Sequence, residues 1–243
     1  MKPRVEIASA QTPDGSRLAL VSHDGNYIIT VDRQDLVLSR AHESELELAR
    51  LGCAGLADRR APAVLVGGLG MGYTVRQALD LLPAAGTVVV AELLPEIVQW
   101  NRDILGELAG HPLRDPRVDL RVGDVAELIR RSPAAFDAVL LDVDNGPHAV
   151  TDPRNARLYH RDGLRNALAA LRPHGRVAIW SASLDDAFEH RLREVTPHMR
   201  RFRAPTHAGG RTRPHCIWVA ANQPQALPAP RPPHDLNRSV IGP

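Results

Sequence analysis

The spacing of apolar and polar residues divides this chain into two parts. Up to residue 40, short apolar or alternating segments are separated by the turn signals Asp14-Gly15 and His23-Asp24-Gly25-Asn26. These segments predict a small antiparallel β appendage over residues 1–40, with strands at Arg4–Ala8, Arg17–Ser22, Tyr27–Val31 and Leu36–Leu38. In Glu43–Asp58 the apolar positions recur at helical spacing, which predicts an amphipathic helix.

From Ala63 onward, apolar or β-branched runs alternate with helical stretches. The predicted strands are Ala63–Val66, Thr87–Ala91, Val118–Val122, Phe136–Leu141 and Arg176–Trp180, followed by the late strands Arg200–Arg203 and Cys216–Ala220. The predicted helices are Tyr73–Leu82, Pro95–Leu105, Val125–Arg131, Arg161–Leu171 and Asp185–Val195. This alternation predicts an α/β fold over residues 41–221, with a doubly wound, mostly parallel, Rossmann-like sheet. Residues 222–243 are rich in proline and are predicted to form a flexible tail.

Composition narrows the functional classes. The 243 residues suffice for one α/β domain with an appendage, and the 44% of apolar residues supply its core. A net charge of +2 favours neither nucleic acid nor an anionic membrane surface as a partner. No apolar run approaches the ~18 residues of a membrane span, so we expect a cytoplasmic protein. No metal is expected either, because Cys53 and Cys216 lack metal-ligand spacing.

The first parallel strand leads directly into a glycine-rich turn, Gly67-Gly68-Leu69-Gly70-Met71-Gly72, and then into a helix. Glycines allow a sharp turn and let a ligand approach the main chain, so Gly68, Gly70 and Gly72 are candidate ligand-binding residues. A tight turn without a ligand is the alternative. Glu92 ends the second strand, where a carboxylate can accept hydrogen bonds from two ribose hydroxyls, or can simply cap the following helix.

Further acids follow the third and fourth strands. Asp124 can cap the helix that starts at Val125, and it can also accept a hydrogen bond from an adenine amino group while the neighbouring backbone, at Val125, contacts the ring. Asp142 and Asp144 follow the fourth strand, at the edge where open α/β sheets bind ligands. A buried carboxylate there can orient and deprotonate an attacking amine. The alternative for both acids is that they only cap backbone groups.

Taken in this order, the glycine turn, the ribose acid, Gly123-Asp124 and the strand-four acids resemble the class I S-adenosylmethionine-dependent fold. Within that fold, the chain resembles the spermidine synthases, or polyamine aminopropyltransferases. Their catalytic loop, Asp-Ser-Ser-Asp-Pro-x-Gly-Pro followed by Leu-(Phe/Tyr), is similar to Asp142–Pro147 and Leu158-Tyr159. The resemblance implies catalytic roles for Asp142, Asp144 and Tyr159, and S-adenosylmethionine or its decarboxylated form as co-substrate. It also implies a small-molecule amine acceptor and a homodimer.

The chain departs from the family at several motif positions. The family's Gly-Gly-Gly-Asp-Gly-Gly has an Asp that helps hold the donor's ammonium, and this chain has Gly70 there. The catalytic loop lacks both serines, and the glutamine expected near Trp180-Ser181 is missing. The family's amino-terminal Tyr-His-Glu is matched at best by His42-Glu43. These differences affect the acceptor pocket more than the donor pocket.

The leading hypothesis is therefore a spermidine-synthase-like transferase that moves an aminopropyl or related alkyl group from a sulfonium donor to an amine. One alternative is an S-adenosylmethionine-dependent methyltransferase acting on a small molecule, which the missing glycine-turn Asp favours. The other alternative is a non-catalytic nucleoside-binding homologue that has lost its acceptor site.

Overall fold

The structure, a computed structural model, describes residues 3–12, 14–143, 146–147, 153–207 and 214–230. The amino-terminal part is a four-stranded antiparallel sheet of consecutive strands, as predicted. Its strands are β1 (Val5–Gln11), β2 (Arg17–His23), β3 (Asn26–Val31) and β4 (Gln34–Leu38).

A second sheet has seven strands, β5 to β11, and forms the centre of the molecule. These strands are β5 (Ala63–Gly67), β6 (Thr87–Glu92), β7 (Val118–Val122), β8 (Phe136–Leu141), β9 (Leu171–Ser181), β10 (Met199–Ala204) and β11 (His215–Ala221). Their order is β10-β11-β9-β8-β5-β6-β7, and the pairs β10–β11 and β11–β9 are antiparallel while the other described pairs are parallel. The predicted α/β class and mostly parallel sheet are confirmed. The order reverses at β5, so the carboxyl ends of β5, β6 and β8 surround the crevice that open α/β sheets use for ligands.

Six α-helices accompany the described strands. They are α1 (Glu43–Gly52), α2 (Tyr73–Leu81), α3 (Pro95–Trp100), α4 (Val125–Arg130), α5 (Arg161–Ala169) and α6 (Asp186–Val195). The helix predicted to continue to Leu105 becomes a π-helical turn over Asn101–Leu105. There the Asn101 amide donates to the carbonyl oxygens of Ile97, at 2.9 Å, and Gly70, at 2.8 Å. This residue therefore ties α3 to the glycine turn.

The amino-terminal sheet does not have a core of its own. Leu18, Leu20 and Ile29 belong to the same buried cluster as Leu48 of α1 and Val66 of β5. A second buried cluster lies on the other face of the seven-stranded sheet, under α4, α5 and α6. The appendage predicted over residues 1–40 is thus fused to the main core through α1.

The beginning of the predicted flexible tail is packed on the body. Residues Pro224–Ala226 form a short 3-10 helix, Ala226 is buried and Leu227 packs against the main core. The Asn222 amide also donates to the Leu168 carbonyl oxygen at 3.0 Å. The density of prolines predicted an unpacked segment, but apolar residues between the prolines pack on the main core. Within the described ranges, no helix combines the length and the apolar character needed to cross a membrane.

Candidate active site

A cavity of ≈ 540 Å³ opens between the carboxyl ends of the central strands and the amino-terminal sheet. One wall comes from the amino-terminal sheet, with Leu18, Ile29 and the strand β4. The opposite wall contains the glycine turn and the residues that follow β6, β7 and β8. Predicted site residues that line the cavity are Gly68, Gly70, Glu92, Asp124, Val125 and Asp142. The structure therefore brings most of the sequence-predicted residues to one place.

The glycine turn brings its backbone close to the residue after β8. Gly68 has φ +87°, and a Cβ atom there would lie 2.2 Å from the carbonyl oxygen of Asp142. Gly70 has φ +51° with nothing within 4 Å of a Cβ, so this position is open toward the cavity. Gly72 begins α2 and faces Pro112 and Asn101 instead, and it is not among the described lining residues.

Glu92 is buried at the cavity wall and joins two loops. Its carboxylate accepts hydrogen bonds from the backbone N–H groups of Leu69, at 2.8 Å, and Leu94, at 2.9 Å. A carboxylate has about four acceptor positions, so ribose hydroxyls can still bond to it. The alternative, a cap of the following helix, is not formed: Glu92 bonds to Leu94, the residue before α3, and α3 has no side-chain cap. Binding of the ribose stays a prediction.

Asp124 caps α4, as predicted: its side chain accepts a hydrogen bond from the Ala126 N–H at 2.7 Å. Its other carboxylate oxygen forms an ion pair with Arg157. Val125 lines the cavity beside it. The proposed bond to an adenine amino group stays a prediction, and it requires Asp124 to share or release Arg157.

Asp142 lies at the bottom of the cavity with a polar partner from α2. The Thr74 hydroxyl donates to its carboxylate at 2.6 Å. Burial raises the pKa of Asp142 to about 6, while the Thr74 bond acts in the opposite direction. Asp144, the other predicted acid of this loop, lies outside the described residues.

Tyr159 does not reach the cavity. Its ring packs edge-to-face against Phe188 in the second buried cluster, with 5.9 Å between centroids. Its hydroxyl donates to the Val143 carbonyl oxygen at 3.2 Å. In this position Tyr159 supports the backbone just after Asp142, so a positioning role suits it better than contact with a substrate.

Sequence reasoning missed Glu45. This acid lies in the first turn of α1, is 9% exposed and lines the cavity, whereas Glu43 of the His42-Glu43 pair does not line it. Burial and the negative charge of Asp142 raise the pKa of Glu45 well above its ordinary value. The available signal was its helical position, because Glu45 precedes Leu48 and Ala49 by three and four residues and so shares their apolar face.

A hydrogen-bonded group from α1, β9 and β11 completes this wall. The Trp180 indole N–H donates to the Ser44 hydroxyl oxygen at 3.0 Å, and the same hydroxyl lies 2.8 Å from Nδ1 of His215. Both rings line the cavity. Burial and nearby His207 lower the pKa of His215 to about 4, so the imidazole is neutral at physiological pH. Long-range packing alone brings these residues together, and no local motif marks them.

Among the described residues, no group of three His, Cys, Asp or Glu side chains is arranged to hold a metal ion. Cys53 and Cys216 are free and buried. Burial raises the pKa of each thiol to about 12, which makes both unreactive.

Comparisons with known proteins point to one family. A family model described as the spermine/spermidine synthase domain matches residues 51–190. Polyamine aminopropyltransferase 2 of Pseudomonas aeruginosa is 31% identical over 162 residues, which are 62% of this chain and 44% of that protein. Polyamine aminopropyltransferase of Corynebacterium efficiens is 32% identical over 135 residues, which are 53% of this chain and 24% of that protein. The matched stretch therefore spans less than half of these relatives.

Solved structures show the same fold. Spermidine synthase from Thermotoga maritima aligns with a TM-score of 0.70 and 18% identity, covering 92% of this chain and 76% of that one. A spermidine synthase in complex with the transition-state analogue AdoDATO aligns with a TM-score of 0.68 and 17% identity, covering 88% and 71%.

Proposed function

Because the chain belongs to the spermine/spermidine synthase domain family, we propose that it transfers an aminopropyl group from decarboxylated S-adenosylmethionine to a small amine. Curated relatives that it matches bear the name polyamine aminopropyltransferase. The matched stretch covers only part of those proteins, so activity, donor and acceptor are all parts of this proposal.

The observation that carries the proposal is the charge of the cavity. Its described lining includes six carboxyl groups and no Arg or Lys: Asp14, Asp35, Glu45, Glu92, Asp124 and Asp142. Decarboxylated S-adenosylmethionine carries a sulfonium and an ammonium group, whereas intact S-adenosylmethionine also carries a carboxylate. The acidic walls attract the two cationic groups of the decarboxylated donor and repel the carboxylate of the intact one. They suit an amine acceptor for the same reason.

The proposed chemistry is a direct displacement. The acceptor nitrogen forms a bond to the carbon next to the sulfonium, the carbon–sulfur bond breaks, and its electron pair stays on sulfur. The nitrogen must lose one proton, and Asp142 is the described carboxylate at the end of β8 that can take it. A base with a pKa of about 6 is suited to this transfer near neutral pH. The Thr74 hydroxyl fixes the orientation of the carboxylate, and alignment of the two substrates supplies much of the remaining acceleration.

The nucleoside is assigned to the other half of the cavity. Glu92 would accept the ribose hydroxyls and Asp124 the adenine amino group, with the backbone of Gly68 and Gly70 beside the donor's chain. In this arrangement the Arg157–Asp124 ion pair must rearrange when the adenine enters.

One observation favours a second candidate, transfer of a methyl or other alkyl group from intact S-adenosylmethionine. The family's glycine-turn Asp, which holds the donor's ammonium, is replaced by Gly70, and the space there is open. The six carboxyl groups argue against this candidate, and donor affinities decide between the two.

Binding calorimetry with decarboxylated S-adenosylmethionine, methylthioadenosine and intact S-adenosylmethionine tests the donor. We expect the intact form to bind at least about tenfold more weakly than the decarboxylated form, the effect of one uncompensated charge. Gly70→Asp should increase this preference, because the position is open and an Asp tolerates a positive φ. Gly70→Asn is the matched neutral control. Tighter binding of intact S-adenosylmethionine would support the second candidate.

Product analysis tests the transfer itself. With decarboxylated donor and a panel of small diamines, mass spectrometry should detect methylthioadenosine together with an amine enlarged by one aminopropyl group. Methylated amines would support the second candidate instead. If nucleosides bind and no amine in the panel reacts, the chain is a nucleoside-binding homologue without activity.

The family resemblance also leads us to expect a homodimer, and the small net charge leads us to expect no nucleic-acid partner. Light scattering at micromolar concentration measures the molar mass and so the oligomeric state. Retention of the protein on immobilised DNA and RNA at low salt measures nucleic-acid binding.

A further inference from the structure

The cavity contains a second buried carboxyl group that the mechanism above does not use. Glu45 comes from α1, outside the segment that carries the predicted site residues, yet it lines the same cavity as Asp142. Burial and, after it, the negative charge of Asp142 raise the pKa of Glu45, so the two carboxyl groups interact. The two carboxyl groups therefore form one acidic subsite built from separate elements.

Glu45 has no partner in the described part of the chain, in contrast to the other cavity acids. Asp142 accepts from Thr74, Asp124 pairs with Arg157, and Asp35 pairs with Arg4. For the Glu45 side chain, no hydrogen bond or ion pair to a described residue is formed, although it is only 9% exposed. A buried carboxyl group without a partner is costly unless it is protonated or meets a cation.

The described groups that face Glu45 do not supply that cation. From α2, Tyr73 has its pKa raised to about 12 by burial and by Glu45 itself, so it is neutral. From β11, His215 is neutral because its pKa is lowered to about 4. From β9, Arg176 is directed to the far end of α1, where it donates to the Leu51 carbonyl oxygen.

β8 also packs on α1, and its titratable side chain is an acid, Asp137. The arginines of β10, a further strand that packs on α1, are engaged elsewhere. Arg200 donates to Pro228, and Arg201 pairs with Glu189. The third, Arg203, lies near Cys216. Within the part of the chain that the structure describes, these side chains leave Glu45 without a cation, and a positively charged ligand can supply one.

We propose that Glu45 is the second carboxyl of the amine subsite and exchanges its proton for the positive charge of the incoming acceptor. This inference rests on the proposed function in that the acceptor is an amine. Before binding, the pair formed by Glu45 and Asp142 holds one proton. When a protonated amine binds between them, the Glu45 proton passes to solvent, and both carboxylates neutralise the ammonium group.

The two carboxyl groups also accept the proton that the amine loses in the transfer step. Once the amine is bound, its nitrogen must lose a proton before it attacks, and the pair of carboxylates, which now holds no proton, can accept it. After the transfer the pair again holds one proton. Two acids whose pKa values are separated by their surroundings can divide such work, with Asp142 facing the attacking nitrogen and Glu45 setting the preference for cationic acceptors.

Calorimetry of amine binding tests the exchange without any turnover. The protein is first saturated with methylthioadenosine, and 1,4-diaminobutane is then titrated at about pH 7.5 in two buffers that differ in ionisation enthalpy. The wild type should release close to one more proton per amine bound than Glu45→Gln does, because glutamine has no proton to give. The affinity of Glu45→Gln for the diamine should fall by about tenfold or more.

Glu43→Gln is the matched control, since it removes an acid from the same helical turn that does not line the cavity. It should behave as the wild type in affinity and proton release. Melting temperature and methylthioadenosine affinity establish that each variant is folded, and Glu45→Asp, which keeps the charge, should restore part of the proton release. In turnover, Glu45→Gln should raise the KM of the amine more than it lowers kcat.

The inference is overturned if folded Glu45→Gln binds the diamine and releases protons as the wild type does, or if the diamine does not bind the wild type at millimolar concentration. Failure of the proposed function looks different. In that case amine binding with Glu45-dependent proton release persists, and no aminopropyl product is formed. If Glu45→Gln forms product with the wild-type KM for the amine, the proposed function stands and only the role of Glu45 is overturned.

Discussion

At the scale of single residues, the role of Asp142 can be separated from that of its neighbours. Asp142→Asn should leave methylthioadenosine affinity within a few-fold and reduce turnover by about 100-fold, the usual contribution of a general base. Asparagine keeps an oxygen that can accept the Thr74 hydroxyl, but it cannot take a proton. Steady-state kinetics and calorimetry on the same preparation measure both effects.

Thr74→Ser is a suitable control for Asp142→Asn, because it keeps the hydroxyl donor and should retain most of the activity. Normal turnover of Asp142→Asn with a lowered melting temperature would make Asp142 a structural acid. The base would then be another acid, with Asp144 and Glu45 as the candidates.

The two buried acids also predict how stability depends on pH. Their pKa values are raised in the folded state, so between about pH 4 and the raised value the folded protein binds more protons than the unfolded chain. Their contribution to the free energy of unfolding is full below about pH 4 and is lost as the pH rises through about 6 for Asp142 and higher for Glu45. Glu45→Gln should therefore gain stability relative to the wild type between about pH 4 and pH 7.

The comparison must be made as a difference between variants, because His215 acts in the opposite direction. Its lowered pKa makes stability rise as the pH increases from about 4 to 6.5, equally in both proteins. Urea unfolding at several pH values gives the difference, and Glu43→Gln serves as the control. A constant difference across this range would contradict the assignment of a raised pKa to Glu45.

At the scale of elements, the glycine turn offers a test within one segment. Gly68→Ala should destabilise the protein by about 3 kcal/mol or more, because its Cβ would meet the backbone of Asp142 at 2.2 Å. Gly70→Ala meets nothing within 4 Å, so only its positive φ opposes it, at a cost of about 1 kcal/mol. Urea unfolding of both variants measures the contrast. Equal losses would show that the turn does not pack against β8 in this way.

The carboxyl-terminal segment gives a second test at this scale. Removal of residues 222–243 should lower the free energy of unfolding by about 2 kcal/mol, since it exposes the surface under Ala226 and Leu227 and removes the Asn222 bond to Leu168. A chain that ends at Pro230 keeps these contacts and is the control, with an expected stability close to that of the full chain. Thermal melts distinguish the two, and equal melting temperatures would mean that the segment contributes little.

At the scale of the whole molecule, the shared core predicts cooperative unfolding. Leu18 and Ile29 of the amino-terminal sheet are buried in the same cluster as Leu48 and Val66. Scanning calorimetry should therefore give a single transition with a ratio of calorimetric to van't Hoff enthalpy near one. A chain starting at residue 41 should not fold stably, because part of the cluster and one cavity wall would be missing. Two separate transitions would show that the amino-terminal sheet is an independent domain.

Much of the fold was determined locally and could be predicted. β7 and β8 were predicted at their observed bounds, and the glycine turn, Glu92 and Asp124 were found at the ends of the strands that carry them. A strand buried on both faces consists of a continuous apolar run, and a tight strand–helix turn requires glycine. Both features can therefore be recognised in short stretches of sequence.

The tertiary structure decided what the sequence could not. Glu45 lines the cavity because α1 packs on β8, β9 and α2. Tyr159 lies outside the cavity, where its ring packs against Phe188. Apolar residues after Asn222 pack on the main core, which the number of prolines in this segment does not predict. Each outcome depends on contacts between segments far apart in the chain. Local periodicity determines which face of an element is apolar, whereas long-range packing determines what that face meets.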